Sequence, residues 1–248
     1  MTIQEMIARK QELGLSNEEI SSRSGVPLGT LQKIFSGKTT SPRSRTIQAL
    51  ERVLAPVQVP KKQGEYTLDD YYAIPDERRV ELIDGVIYDM SPPSVIHQKI
   101  LALLYLLFEQ CVSKHEGDCE VFLSPCDVQL DNDDRTMLQP DIFILCRPYD
   151  LKALSIPGAP DLVVEILSPS TRSKDMLLKL SKYQNAGVRE YWMVDPKKRS
   201  VYVYDFTDPD FHPEVYPFDS TIPIHISGGS CSIDFSSIDR KIARYYED

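Results

Sequence analysis

The sequence changes character near residue 56, and this change constrains the fold more than any other feature. Before it, apolar residues recur at helical spacing between capping residues. After it, short apolar runs bounded by turn residues alternate with amphipathic stretches, which is the pattern of mixed strands and helices. Pro56, Pro60 and residues 61–64 have the composition of a linker. The sequence therefore predicts a helical domain over 1–55, a linker over 56–65 and a second domain over 66–248.

Charge is divided as unevenly as the pattern. Residues 1–64 carry ten Lys and Arg against five Asp and Glu, a net charge of +5, whereas the whole chain carries −9, so the remainder carries −14. Phosphate binding needs a positive field, so the first segment is suited to DNA and the second to cations. We expect DNA capture to depend on the first domain or on a homodimer.

Apolar runs and cysteines indicate where the chain resides. The longest apolar run, residues 100–108, is shorter than the roughly 20 residues that span a bilayer and predicts a buried helix. The N-terminus lacks the basic and apolar segments of a signal peptide. The five cysteines are odd in number and show no Cys-x-x-Cys spacing, so we expect free thiols and no zinc site. We therefore expect a cytoplasmic protein with no membrane partner.

Residues 16–37 predict two helices joined by a tight turn. Ser16 and Glu19 have the spacing of a capping box. A Ser-Gly-Val turn leads to a second helix over 28–35, which ends at Ser36-Gly37. Exposed residues of this helix are of the types that read bases in the major groove, and basic residues after it can meet phosphates. The candidate DNA-binding residues are Thr30, Gln32, Lys33, Lys38, Arg43 and Arg45.

The spacing of these helices and the Ile-Phe-Ser-Gly ending resemble the phage-repressor (Cro/C1, XRE-like) helix-turn-helix family over about residues 1–55. The resemblance implies duplex DNA as the partner. The alternative is a small helical module that has lost DNA binding or docks a protein. Val26, Leu31, Ile34 and Phe35 are core residues under both interpretations.

The second domain contains several local signals of strands and helices. The predicted elements are a hairpin over 80–90 turning at Asp84-Gly85, a long helix over 94–114, strands near 120–123, 126–130, 140–145 and 161–167, a helix over 174–186 closed by Gly187, a hairpin over 190–205 and a last helix over 237–246.

Two of these strands each place one carboxylate in an apolar stretch. Asp141 precedes Ile-Phe-Ile, and Glu165 lies within Leu-Val-Val-Glu-Ile. Burying a carboxylate is costly unless it is paired or binds a cation. If the strands lie side by side, the two acids form an oxygen-rich site of the kind that Mg²⁺ prefers. Lys179 on the following helix can return to the sheet and assist an attacking water or stabilise transition-state charge.

A series of ordered sequence blocks carries a family resemblance. The blocks begin at Glu81 (ELIDG), Met90 (MSPPS), His97 (HQ), Gln139 (QPD), Glu165 (EILSPST), Asp175 (DMLLK), Tyr183, Gly187 (GV) and Glu190 (EYWMVDP). Over about residues 65–205 they resemble the bacterial Uma family of restriction-endonuclease-like proteins. That family is similar to the PD-(D/E)XK nuclease superfamily, which implies an α+β fold with an αβββαβ core and a mixed sheet, a Mg²⁺ or Mn²⁺ cofactor and hydrolysis of nucleic-acid phosphodiesters.

The resemblance also implies residue roles. Asp141 matches the superfamily's Pro-Asp carboxylate, Glu165 matches its second acid, and Glu81 matches a further acid upstream. The carbonyl group of Ile166 is an additional candidate metal ligand. The superfamily has a lysine two residues after the second acid, where this chain has leucine; in Uma-like sequences the amine comes from the following helix, here Lys179.

Other residues near these motifs keep two interpretations. His97 can contact the scissile phosphate or lie near the metal, or can be a capping or hydrogen-bonding residue at the start of the long helix. Ser168 and Thr171 can bind phosphate or cap the next helix. Tyr183 can orient Lys179 or pack in the core. Asp161 can begin its strand or orient a basic residue.

Together these features predict a Mg²⁺-dependent endodeoxyribonuclease that the first domain recruits to DNA. One alternative is a transcriptional or toxin–antitoxin-type regulator whose nuclease-like domain is catalytically silent and serves dimerisation or sensing. Another is a nuclease whose helix-turn-helix domain contacts protein.

Overall fold

The fold is described from a computed structural model. It covers residues 1–54, 61–75, 77–114, 118–131, 133–150, 152–168, 174–210 and 212–246. Residues 56–60, which are half of the predicted linker, and Thr171 lie outside the described residues. The chain divides into two compact units, Met1–Lys61 and Lys62–Asp248, which are described separately.

The first unit consists of four helices in its described part. They are α1 (Ile3–Glu12), α2 (Asn17–Ser24), α3 (Leu28–Phe35) and α4 (Ser44–Leu54). The Ser16 side chain accepts a hydrogen bond from the Glu19 amide and the Glu19 carboxylate accepts one from the Ser16 amide, so the predicted capping box is confirmed. Gly25 ends α2 in the left-handed region, at φ 71°.

Apolar residues from all four helices form the core of this unit. The fully buried side chains are Met6, Ile20, Leu31, Ile34, Leu50 and Leu54. Val26 is also buried, whereas Phe35 is half-buried against them. The predicted core positions are therefore confirmed, and α3 turns its other face to solvent.

The second unit mixes helices and strands. Its helices are α5 (Leu68–Tyr72), α6 (Val95–Val112), α7 (Leu180–Ala186) and α8 (Phe235–Ile242), and a π-helical segment, Lys174–Lys179, leads directly into α7. Its strands are β1 (Val80–Ile83), β2 (Val86–Asp89), β3 (Glu120–Leu123), β4 (Val128–Gln129), β5 (Ile142–Leu145), β6 (Ile156–Pro157), β7 (Leu162–Ile166), β8 (Glu190–Asp195), β9 (Ser200–Asp205), β10 (Glu214–Pro217), β11 (Thr221–Pro223) and β12 (Ser232–Asp234).

A mixed sheet forms the centre of the second unit. Within the described ranges its strand order is β10-β9-β8-β7-β5-β3. β7 and β8 are parallel, whereas each other neighbouring pair is antiparallel. The parallel pair needs a long crossover connection, which the helical stretch ending in α7 supplies. The predicted α+β class with a mixed sheet is therefore confirmed.

Both faces of this sheet are covered. Trp192 lies on the face that packs with Phe108 of α6 and Phe235 of α8. Tyr191 points to the opposite face, where it packs against Tyr183 of α7. Because successive strand residues point to opposite faces, β8 is buried along its whole length. This arrangement encloses the inner strands, on which the predicted site residues lie.

Helix α6 is 18 residues long and has a mean hydropathy of 1.4, so length and composition alone would allow it to cross a membrane. In the fold Ile100, Leu104 and Phe108 are fully buried in the core beneath the sheet. The core helix of a globular protein has this pattern of burial. The predicted buried helix is therefore confirmed.

The cysteines differ from the prediction. Cys119, just before β3, is joined to Cys146, just after β5, and Cys111 of α6 is joined to Cys231. Cys126 is free. The expectation of free thiols was therefore wrong for four of the five cysteines. The spacing of cysteines along the chain did not predict the Cys119–Cys146 pair, because the antiparallel pairing of β3 with β5 brings these two residues together.

Candidate active site

A pocket of about 80 Å³ lies at one end of the central sheet in the second unit. The six site residues predicted for this domain all line it: Glu81, His97, Asp141, Glu165, Ile166 and Lys179. The fold therefore gathers side chains from five separate parts of the sequence. Their catalytic and metal-binding roles stay predictions.

Asp141 and Glu165 meet because β5 and β7 pair antiparallel. Ile142 lies opposite Val164, and the same register continued by one residue places the two acids opposite each other. Asp141 Oδ2 accepts a hydrogen bond of 2.7 Å from the Ile166 amide. Asp141 Oδ1 accepts none from the residues that the structure describes, and it belongs to a side chain that lines the pocket. One oxygen of Asp141 is thus held in place while the other stays available.

Lys179 ends the π-helical segment and reaches both glutamates. Its Nζ lies 2.7 Å from Glu81 Oε1 and 2.7 Å from Glu165 Oε1. The three side chains are only 3%, 0% and 6% exposed, respectively. One ammonium group therefore compensates two buried carboxylates, and this trio retains a formal charge of about −1. Short π-helical segments are rare and occur frequently at functional sites.

Glu81 is carried into the pocket by the β1–β2 hairpin. Asp84 and Gly85 form its turn with φ values of 52° and 78°, as a type I′ hairpin requires. A Cβ atom on Gly85 would lie 2.7 Å from the Gly64 carbonyl oxygen, so glycine is needed there. Leu82 of β1 forms a bridge with Met137, which ties the hairpin to the segment that leads to Asp141.

Tyr183 lies one turn after Lys179 and is fully buried. Its hydroxyl donates a hydrogen bond of 2.7 Å to Glu165 Oε1. Burial, followed by the charges of Glu165 and Glu81, holds the pKa of Tyr183 well above its usual range. The phenol therefore stays protonated and orients Glu165, besides packing in the core.

The side chain of His97 does not cap α6. The cap of α6 is the side chain of Ser94, which accepts a hydrogen bond from the His97 amide. The His97 ring instead places Nε2 at 3.1 Å from Asp141 Oδ2. Because a carboxylate accepts, Nε2 carries the proton in this contact. His97 is therefore positioned to hold Asp141.

The other residues with two interpretations lie in different places. Ser168 lines the pocket. Asp161 lies at the opposite end of β7, where it accepts hydrogen bonds from the Cys146 amide and from Arg189. It therefore orients a basic residue outside the pocket. Thr171 falls outside the described residues.

Arg79 also lines the pocket, and the sequence analysis missed it. Its guanidinium donates hydrogen bonds of 2.9 Å to Ser124 Oγ and to Gln139 Oε1, and it pairs with no carboxylate of the described residues. The signal was its position two residues before Glu81, because alternate residues of an extended strand share a face. An arginine at the edge of an acidic pocket is suited to bind a phosphate group.

The candidate DNA-binding residues of the first unit are all exposed. Three of them, Thr30, Arg43 and Arg45, line a groove of about 680 Å³ beside α3 and α4. Arg52 lines the same groove and was not predicted. Gln32, Lys33 and Lys38 are exposed on α3 and after it but do not line that groove. The basic and polar side chains thus surround the exposed face of α3.

Two protein-family profiles match this chain. The profile of the Uma2 family, described as "Putative restriction endonuclease", matches residues 68–225. The chain belongs to the Uma2 family. A helix-turn-helix profile matches residues 6–59, so the first unit is a helix-turn-helix domain. The sequence-based resemblance to both families is confirmed.

Two proteins illustrate the relationship of this Uma2 chain to others. An uncharacterized protein of Synechocystis sp. (Kazusa strain) is 34% identical over 129 residues, which cover 52% of this chain and 66% of the relative. The chain thus spans slightly less than two thirds of that relative. The crystal structure of a protein from Anabaena variabilis, titled a "putative nuclease belonging to DUF820", has a TM-score of 0.59 and 24% identity, covering 69% of this chain and 98% of that one. This chain and the Anabaena variabilis protein share a fold.

Proposed function

We propose that this Uma2 protein is a divalent-metal-dependent endonuclease that hydrolyses phosphodiester bonds of DNA. The observation that carries the proposal is the convergence of Glu81, Asp141, Glu165 and Lys179 in one pocket of a nuclease-like fold. A binding module has no need for buried carboxylates and an amine at the end of its sheet, because burying these charges costs several kcal/mol or more.

The donor set fits a hard divalent cation in its chemistry. Carboxylate oxygens dominate the pocket, and Asp141 Oδ1 is available. The described residues contain no ready-made group of three His, Cys, Asp or Glu side chains around one point. Mg²⁺ does not require such a group, because it keeps several waters and binds through one or two carboxylates and substrate phosphates. Asp141, Glu165 and the Ile166 carbonyl would hold the ion, and Glu81 would accept a hydrogen bond from a neighbouring water.

A bound Mg²⁺ or Mn²⁺ would stabilise charge on the phosphate and lower the pKa of a water. Within the chain, the Lys179 ammonium would donate to the attacking water and to charge that develops in the transition state. His97 and Tyr183 would hold the carboxylates of Asp141 and Glu165 in fixed orientations. The guanidinium of Arg79, which pairs with no carboxylate of the described residues, would bind a neighbouring phosphate of the strand.

The helix-turn-helix domain would supply the DNA affinity that the acidic nuclease domain lacks. Its net charge is positive, whereas residues 65–248 carry −14. Exposed Gln32 and Lys33 on α3 are suited to base edges, and Arg43 and Arg45 are suited to phosphates. We therefore propose that this domain recruits the protein to DNA and that two chains pair.

A specific observation favours a second candidate function. Lys179 already pairs with both Glu81 and Glu165, so these acids are compensated without any cation. A DNA-binding regulator with a catalytically silent nuclease-like domain would show this arrangement. It would bind a specific duplex and cleave nothing.

Incubating the purified full chain with supercoiled plasmid, linear duplex, single-stranded DNA and RNA distinguishes the two functions. Each substrate is tested with Mg²⁺, with Mn²⁺ and with EDTA, and products are resolved by electrophoresis. The nuclease proposal predicts cleavage of DNA in either metal and none in EDTA. Duplex binding without cleavage under every condition would support the silent regulator, and equal cleavage in EDTA would contradict metal dependence.

A further inference from the structure

A second pocket, of about 390 Å³, adjoins the acidic pocket in the same unit. Arg79 and Gln139 line both pockets. A ligand seated in the second pocket therefore reaches the same guanidinium that faces the proposed cleavage site. The side chains that matter for this pocket are Tyr71, Tyr72, Arg79, Asp127 and Gln139.

One wall of this pocket is an exposed aromatic ring. Tyr72 is 49% exposed, although it belongs to the short helix α5. Its ring meets the buried ring of Tyr71 at an angle of 78°, with centroids 5.4 Å apart. This edge contact supports the Tyr72 ring while leaving it accessible. Such a ring can stack on a nucleobase, an interaction worth about 1–3 kcal/mol per base.

The polar side of the pocket ends in a fixed hydrogen-bond acceptor. Asp127 Oδ1 accepts hydrogen bonds of 2.9 Å from the Tyr71 hydroxyl and 2.8 Å from Gln139 Nε2. Burial and the charge of Asp127 raise the pKa of Tyr71, so its hydroxyl stays a donor. Asp127 Oδ2 accepts no hydrogen bond from any residue that the structure describes. The carboxylate is thus held by one oxygen and presents the other.

An unshared carboxylate oxygen selects among bases by their donors. Cytosine, adenine and guanine each carry an exocyclic amine that can donate to it, whereas thymine has none and presents a carbonyl oxygen where cytosine has its amine. Stacking on Tyr72 adds affinity but no such preference. The combination of ring and carboxylate therefore distinguishes this pocket from a general phosphate-binding surface.

We propose that this pocket binds a single nucleobase with an exocyclic amine, stacked on Tyr72 and hydrogen-bonded to Asp127, with its phosphate at Arg79. The inference rests on the proposed nuclease function and narrows its substrate. A base can enter only after leaving the duplex stack, at a cost that is least where it is unpaired or mismatched. The enzyme would therefore cut beside an unpaired base that carries an exocyclic amine, and not beside an unpaired thymine.

Equilibrium dialysis of the full chain in EDTA tests the pocket without requiring cleavage. The probes are dCMP, dAMP and dTMP, with ribose 5-phosphate as the compound that has a phosphate but no base. We expect dCMP and dAMP to bind more tightly than dTMP, and ribose 5-phosphate to bind weakest. Tyr72→Ala should weaken dCMP binding by roughly tenfold, since tenfold corresponds to about 1.4 kcal/mol and stacking contributes about that much.

Three variants serve as matched controls and as a specificity test. Tyr72→Phe keeps the ring and should retain binding, and Tyr202→Ala removes a ring from β9, outside both pockets. Asp127→Asn should shift the preference toward dTMP. The donors Tyr71 and Gln139 both require an oxygen at the Oδ1 position, so the new amide group would occupy the Oδ2 position and donate to the thymine carbonyl.

The possible results separate this inference from the proposed function. Any of three results would refute the proposal that this pocket binds a base. They are unchanged dCMP binding in Tyr72→Ala, ribose 5-phosphate binding as tight as that of dCMP, and an unchanged base preference in Asp127→Asn. If dCMP binding depends on Tyr72 but the chain cleaves no nucleic acid, base binding in this pocket is supported and the proposed nuclease activity is refuted. If the chain cleaves DNA but binds no base preferentially, base binding in this pocket is refuted and the proposed nuclease activity stands. Unaltered tryptophan emission in each variant shows that it has folded.

Discussion

Replacing Lys179 with methionine removes an ammonium group that contacts both Glu81 and Glu165. Its Nζ lies 2.7 Å from an oxygen of Glu81 and 2.7 Å from an oxygen of Glu165, and all three side chains are at most 6% exposed. Methionine keeps much of the side-chain volume but removes the ammonium group that both carboxylates contact. We therefore expect the free energy of unfolding of the second unit to fall by about 3–5 kcal/mol, the cost of breaking a buried ion pair.

Urea titration followed by tryptophan emission measures this loss. Trp192 is the one tryptophan of the sequence and is fully buried in the central sheet, so its emission reports the second unit. The matched control is Lys182→Met, one turn further along the same helix. Lys182 pairs with Asp84 and Asp131, but these partners are 59% and 27% exposed, respectively. We expect a cost of about 1 kcal/mol or less for this more solvated cluster.

Added Mn²⁺ extends the same test. A cation that binds the folded Lys179→Met chain would replace the lost charge, and at 100 times its Kd it would restore about 2.7 kcal/mol. Adding Glu81→Gln to Lys179→Met should also recover stability, because it removes one of the two carboxylate charges that Lys179 contacted. Equal losses in Lys179→Met and Lys182→Met would refute the reasoning that the buried trio is held by its lysine.

Three further predictions follow from the described contacts. Lys33→Ala and Arg45→Ala should each weaken binding of a duplex target. Arg45→Ala, which removes a phosphate contact, should also reduce the slope of log Kd against log salt concentration by about 1; fluorescence anisotropy at several salt concentrations measures both. Burial raises the pKa of Glu190 above its ordinary value of 4.5, so the folded chain holds this proton more tightly than the unfolded chain does. The free energy of unfolding should therefore fall as the pH rises from about 4.5, and Glu190→Gln should flatten that decline in urea titrations across pH. Tyr183→Phe removes the 2.7 Å hydrogen bond to Glu165 and should lower the free energy of unfolding by about 1.5–3 kcal/mol. It should also lower the cleavage rate, and an unchanged rate would contradict the role of Tyr183 in positioning Glu165.

Elements specified by a local signal were predicted well. The capping box at Ser16, the Asp84-Gly85 turn and the helix closed by Gly187 each depend on residues within one turn of one another. Their backbone preferences decide the structure before any long-range contact forms. The strands β10, β11 and β12 were missed because each has only three or four residues and is defined by its partner strand.

The candidate site could be predicted in part for a similar reason. Asp141 and Glu165 stand out because each is a charge in an apolar strand, and the structure places both at one pocket. Arg79 and the cysteine pairs depend on which strands become neighbours, which the spacing along the chain does not reveal. The second pocket was missed for the same reason, because Tyr72 and Asp127 come together only through the tertiary fold.

The central claim is that Asp141 belongs to a metal-dependent phosphodiester-cleaving site. The most direct measurement compares the rates of plasmid nicking in Mg²⁺ for the parent chain, Asp141→Asn and Asp161→Asn. Asp161 is the matched control, because it lies at the other end of β7 and pairs with Arg189 outside the pocket. We expect Asp141→Asn to lower the rate by roughly 100-fold or more and Asp161→Asn to stay close to the parent rate. Equal nicking by the parent and both variants would contradict the account.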